Sequence, residues 1–182
     1  MQIIIRNFLL VFFLLGLASC TTKSPCTLSL HSAPSKILRF NVEKIKIKGI
    51  NAVNTYCEPT SNICPRDLLL DWIEHNVRII GNKGVLRIMV NSATLQRSKV
   101  KRKMETYHGL YDVTLRLLSD EKWPDSYIEL NVIAENSRTM YRGASDQEKA
   151  AIIAEQVNEL VRLLEDEIIT KANTYFSDYL IK

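Results

Sequence analysis

Polar and apolar residues alternate through Met104–Leu118, with Tyr107, Tyr111, Val113, Leu115 and Leu117 on one side and Thr106, His108, Asp112, Thr114 and Arg116 on the other. That period of two predicts a strand with one buried and one wet face. Tyr127–Tyr141 repeats it, placing Ile128, Leu130, Val132 and Ala134 inward and Glu129, Asn131 and Glu135 outward. Val85–Leu95 reads as the strand before these two, so the three form an antiparallel meander covered on one face only. An earlier strand fits Ile37–Lys48. There Phe40 and Val42 share one parity and Ile45 and Ile47 the other, which predicts a bulge near Glu43. Lys44, Lys46 and Lys48 then point to solvent, as on a protected edge strand.

Two segments carry helical spacing instead. Pro65 suits a first helical turn and Asp67 its positive end, and Leu68, Leu69, Trp72, Ile73, Val77 and Ile80 follow at helical intervals before Gly81. Trp72 reads as a core anchor. Ser145 with Glu148 three residues on is a capping box. It opens a helix predicted over 146–180, with a stripe through Ala150, Ile153, Ala154, Val157, Leu160, Val161, Leu164 and Ile168, continued by Ala172, Tyr175 and Tyr179. The order β-α-β-β-β-α predicts a single elongated α+β domain: a four-stranded mixed sheet with both helices on its apolar face.

Direction can be traced through that order. The helix over 146–180 would reach about 50 Å and the hairpin strands about 40–50 Å. One end then holds the basic segment Arg97-Ser98-Lys99-Val100-Lys101-Arg102-Lys103, read as a turn, beside the helix's positive N-terminus. The other end holds the Trp123-Pro124 turn and the helix tail. A strand–helix–strand crossover makes the first strand parallel to the second and starts it at the aromatic end. Arg97, Lys99, Lys101, Arg102 and Lys103 are therefore the candidates for an anion or partner contact. Phe176 and Trp123 are the candidates for an exposed apolar contact, with Tyr175 and Tyr179 expected in the core.

The N-terminal 36 residues do not continue these patterns. Phe8–Ala18 is an apolar run of eleven residues preceded by Arg6 and ending at Leu17-Ala18-Ser19-Cys20. A membrane-spanning helix needs about 20 apolar residues, a secretory leader only about 7–15. Leu17-Ala18-Ser19-Cys20 resembles the lipobox of bacterial lipoproteins. The resemblance implies acylation of Cys20 (by palmitate-type chains), removal of residues 1–19 as a signal peptide, and a membrane anchor through the lipid. Thr21, where an aspartate would imply inner-membrane retention, implies outer-membrane sorting with the domain on the periplasmic face. Residues 20–36, polar and with two prolines, read as the lipidated terminus and tether, and residues 37–182 as the domain. Starting at the aromatic end, the first strand would put the anchor there and the basic tip far from it.

Cleavage leaves 163 residues and lowers the formal charge from +4 to +3, which implies no nucleic-acid partner. With Cys20 lipidated, Cys26, Cys57 and Cys64 remain for an oxidising compartment. Cys57–Cys64 is the preferred disulfide across a short Pro/Ser/Asn-rich loop, although a pairing of Cys26 with either stays open. No metal site is expected, for want of histidines or a second cysteine pair at zinc spacing. His31, His75 and His108 form no HExxH pair, no serine sits in G-x-S-x-G, and no glycine-rich phosphate loop appears. No cofactor is expected, and a polar pair of His108 with Asp112 is the nearest approach to catalytic chemistry.

The leader together with the β-α-β-β-β-α order resembles the lipopolysaccharide-assembly lipoproteins, which partner an outer-membrane barrel, and the transport-auxiliary lipoproteins. No residue motif beyond the leader is shared, so no functional residue is carried over. The resemblance implies a non-enzymatic assembly or transport accessory that binds an envelope protein or lipopolysaccharide. The alternative is a lipoprotein that only tethers or spaces envelope components, and a periplasmic enzyme ranks third.

Overall fold

The computed structural model describes residues 36–50, 63–100, 103–120, 122–123 and 125–181, with Lys99 and Val100 described by their backbone alone. The elements run β1 (Leu38–Phe40), β2 (Lys44–Lys48), α1 (Pro65–Asn76), β3 (Val77–Ile79), β4 (Val85–Val100), β5 (Met104–Leu118), β6 (Tyr127–Tyr141), α2 (Asp146–Tyr175) and a 3-10 turn, Ser177–Tyr179. The main sheet has the order β2-β4-β5-β6, with β2 parallel to β4 and the other pairs antiparallel. This is the expected α+β fold.

Alternation makes the sheet two-faced. Leu86, Ile88 and Val90 of β4, Tyr111, Val113, Leu115 and Leu117 of β5, and Leu130, Val132 and Ala134 of β6 are buried in one core with Leu69, Trp72 and Ile73 of α1 and Leu160, Leu164 and Ile168 of α2. Both helices therefore lie on one face, as the stripes predict. A second apolar cluster, with Leu95, Tyr107, Met140, Ile153 and Val157, fills the hairpin end. The buried Tyr111 hydroxyl donates to the Pro65 carbonyl at 2.8 Å, seating the start of α1 on the middle of the sheet. Burial pushes that phenol well above its usual range.

The strand expected over 37–48 is instead two strands in two sheets. β1 pairs in parallel with β3 and closes against the C-terminus through a Phe40–Leu180 bridge, while β2 joins the main sheet. The change of parity read as a bulge is a change of sheet. Its cause is the chain crossing at Gly81, where a Cβ would lie 2.4–2.6 Å from atoms of Asn41 and Val42. That crossing leaves no room to extend a single strand. The same crowding ends α1 early: Val77 opens β3, and Ile80 is exposed rather than continuing the helical stripe.

At the other end of the chain the helical stripe keeps its phase differently from the expected one. Leu160, Leu164, Ile168, Ala172 and Phe176 form an i, i+4 row, each at most 2% exposed. Phe176, expected as an exposed contact, caps α2 and packs edge-to-face on Phe40, ring centres 6.3 Å apart. Tyr175, expected in the core, is 60% exposed. The body is entered at Lys36, whose backbone N–H donates to Glu165 at 2.9 Å. From there β1 runs to the aromatic end, where Phe40 packs on Phe176 and the Asn41 N–H donates to the Tyr179 carbonyl at 2.7 Å; the tether lies outside the described residues.

Candidate binding surface

Outward side chains of the main sheet face away from both helices. Strand register sets Lys46, Arg87, Arg116 and Glu129 in one row across β2, β4, β5 and β6. Adjacent strands are about 4.8 Å apart, so the backbone positions of the three cations lie within roughly 10 Å of one another, with one carboxylate closing the row. Arg116 donates to Glu129 through Nε at 2.7 Å, and its guanidinium lies 4.0 Å over the Tyr127 ring. Arg87 Nε is enclosed with no hydrogen-bond partner among the described residues. Lys44 and Lys48 flank the row on β2. Like charges placed directly opposite each other destabilise a sheet; here Glu129 offsets Arg116, Lys46 has a partner of its own, and Arg87 Nε is the group left without one among the described residues.

Above the row the face is polar and internally satisfied. The β4–β5 register shifts between Val90 and Ser92, and Asn91, the extra residue, donates to Asp112 Oδ1 at 3.0 Å and Thr114 Oγ1 at 2.8 Å. Asn131 donates to the same two atoms from the other side, at 2.7 and 3.2 Å. Asp112 is thus occupied by two amides. His108 lies 3.3 Å from Ser98 Oγ, not against Asp112, so the anticipated polar pair does not form. Among the described residues no group of three His, Cys, Asp or Glu side chains is placed to hold a metal.

The basic segment is strand more than turn. β4 continues to Val100, in register through Lys99↔Glu105, and the reversal is completed by Lys103 in the left-handed region at φ 71°. The reason is local: Leu95 fills the second apolar cluster, and ladder pairing with β5 continues past it. Of the five candidate cations, Arg97 and Lys103 are exposed, Lys99 is placed by its backbone, and Lys101 and Arg102 lie outside the described residues. The cations do not stand alone. Glu105, almost fully buried, has Arg97 Nη1 at 4.0 Å and Lys149 Nζ at 3.7 Å. The N-terminus of α2, expected to add positive potential, carries its own anion in Glu148, which accepts from the Ser145 N–H at 2.8 Å. That backbone hydrogen bond, and then the Ser145 hydroxyl, hold the Glu148 carboxyl below the usual range.

At the opposite end Trp123, the other contact candidate, is 70% exposed. Cys64, which precedes α1, is disulfide-bonded. Its expected partner Cys57 lies outside the described residues, as do Cys20 and Cys26. An apolar cavity lined by Leu69, Trp72, Ile73, Ile88, Val113 and Ile168 holds about 10 Å³, the lower limit for one water molecule. Inside the core Gln156 donates to the Tyr107 carbonyl at 2.8 Å and to Asn136 Oδ1 at 3.2 Å. Periodicity gives that glutamine no particular place; this lock ties α2 to β5 and β6. No helix among the described residues is long and apolar enough to cross a membrane.

No protein-family model matches the chain. No curated protein matches it. Among solved structures it is similar to a minor lipoprotein from Acinetobacter baumannii, at 12% identity and a TM-score of 0.42, covering 77% of this chain and 96% of that one. It is also similar to the rare lipoprotein B of Shewanella oneidensis, at 13% identity and a TM-score of 0.34, covering 72% and 98%.

Proposed function

We propose that the protein is a non-enzymatic lipoprotein, anchored in the outer membrane through Cys20, that serves envelope assembly or transport by binding an anionic partner on its polar sheet face and hairpin tip. The observation that carries this reading is the in-register row Lys46–Arg87–Arg116 on the face turned away from both helices. Three cations in register on a polar face, with Arg87 Nε still without a partner among the described residues, suit a ligand that brings further negative charge. Carboxylates of an acidic envelope protein and phosphates of a glycolipid share that chemistry, and guanidinium forks suit both. The sequence adds Lys99, Lys101, Arg102 and Lys103 as further cations for the same kind of partner.

Crosslinking from membranes with the full lipidated chain tests the reading. Arg87→Gln with Arg116→Gln, or neutralisation of Lys99, Lys101, Arg102 and Lys103 together, should each reduce partner capture about tenfold with an unchanged circular dichroism spectrum. Unchanged capture in both variants overturns it. A chain that matters to the envelope through its anchor yet captures nothing would be the tether or spacer instead.

A further inference from the structure

The far edge of the main sheet carries an inference of its own. Among the described residues β6 pairs only with β5, over all fifteen residues and without a register shift. The Arg142 N–H donates to the Lys103 carbonyl at 2.7 Å, one step beyond the Met104↔Tyr141 pair. Hydrogen-bonded and non-hydrogen-bonded pairs alternate in an antiparallel ladder. Even-numbered residues of β6 therefore bond β5, and odd-numbered ones from Tyr127 to Tyr141 turn their N–H and C=O groups to the open edge. The Asn131 carbonyl accepts from Lys171 Nζ at 2.9 Å, which agrees with that parity.

Apart from Lys171 at the Asn131 carbonyl, this edge has few of the usual backbone defences. It holds no proline, no lysine and no bulge, and it exposes Tyr127, Ile128, Ile133 (54%) and Tyr141. A long, regular, partly apolar edge is a template for another strand. We propose that β6 pairs antiparallel with β6 of a second copy of this chain, around a two-fold axis at Ile133, joining two four-stranded sheets into one of eight. The strand's own charge pattern selects both occupant and register. Centred on Ile133, the pairing sets Glu129 opposite Ser137 and Glu135 opposite Asn131, with Ile133 against its twin. Neighbouring registers are worse on chemical grounds: an axis at Val132 would oppose Glu129 and Glu135, and one at Glu135 would oppose that residue to itself. An axis at Ala134 would set Ile133 against Glu135 and leave the most exposed apolar side chain of the strand uncovered by its like. Lys171 leaves the Asn131 carbonyl to admit the partner strand and keeps Glu167, 3.0 Å away, as its counter-ion.

Cysteine crosslinking on the purified full chain in detergent tests this pairing. Ile133→Cys, oxidised with copper phenanthroline, should yield at least tenfold more disulfide-linked dimer than the parent chain. Thr139→Cys, expected opposite Tyr127, should stay at the parent's level. Sedimentation supplies the second measurement: the parent should dimerise, and Ile133→Lys should weaken that association at least tenfold while its thermal unfolding is unchanged. A parent that sediments as a monomer, or equal crosslinking at positions 133 and 139, overturns the proposal.

Discussion

The two edges of the main sheet are built on opposite principles. β2 has five residues, three of them lysines, and pairs in parallel along the lower part of β4. β6 has fifteen residues without a lysine or proline, and α2 packs beneath it. On β2 three lysines blunt the edge, and Ile45 and Ile47, both half-buried, pack against the core. On β6 the core grips every second residue over most of its length, so the strand is held regular while its backbone edge stays open. Regular along its length and without a bulge, β6 is the better template for another strand. The difference teaches that the two edges are built differently, β2 short and rich in lysine, β6 long, regular and firmly packed.

Substitutions beneath each edge sharpen the contrast. Leu160→Ala, fully buried under β5 and β6, should cost about 3 kcal/mol in chemical denaturation. A loss below about 1 kcal/mol would show that α2 does not hold this edge. Gln156→Ala removes the donor to Asn136 Oδ1 and one donor to the Tyr107 carbonyl, which keeps its ladder bond to β6, and should cost about 1–2 kcal/mol. Ile47→Ala, under the lysine edge and only half-buried, should cost about 1 kcal/mol by the same measurement. A cost matching that of Leu160→Ala would erase the distinction between the edges.

The smallest effect concerns the cap that starts the helix under β6. Ser145 holds the Glu148 carboxyl below its ordinary range, so folding favours the ionised form. The stability this contributes is present above the ordinary glutamate range and is lost as pH falls through the lowered folded value. Melting temperatures of the parent and Glu148→Gln should therefore differ slightly near neutral pH and converge in acid. A gap that widens on acidification would contradict the assignment.

Much of this architecture could be read from the residues. β5 and β6 begin and end where alternation does, because a strand with one wet face writes its period directly into its polarity. Pro65 and the Ser145–Glu148 box mark the two helix starts, since caps are local chemistry. The errors share a cause in long-range contact. Phe176 and Tyr175 exchange roles because the i, i+4 ridge of α2 meets Phe40, far earlier in the sequence. The strand over 37–48 divides because the chain at Gly81 runs against Asn41. His108 and Asp112, close in sequence, are separated by partners from β4 and β6. Of the candidate surface, the hairpin cations are legible as a run, whereas the row Lys46–Arg87–Arg116 draws one residue from each of three strands and has no signature along the chain.

Local pattern thus specified the element types, the helix starts and which side of each strand is apolar, because these depend on neighbours within a few residues. Tertiary structure alone decided strand order, the register that opposes three cations, and which strands were left at the edges. Those follow from pairing energies between segments distant in the sequence. Leu17-Ala18-Ser19-Cys20 can be read off the chain as written; that β6 has one strand neighbour among the described residues is visible only once the sheet has formed.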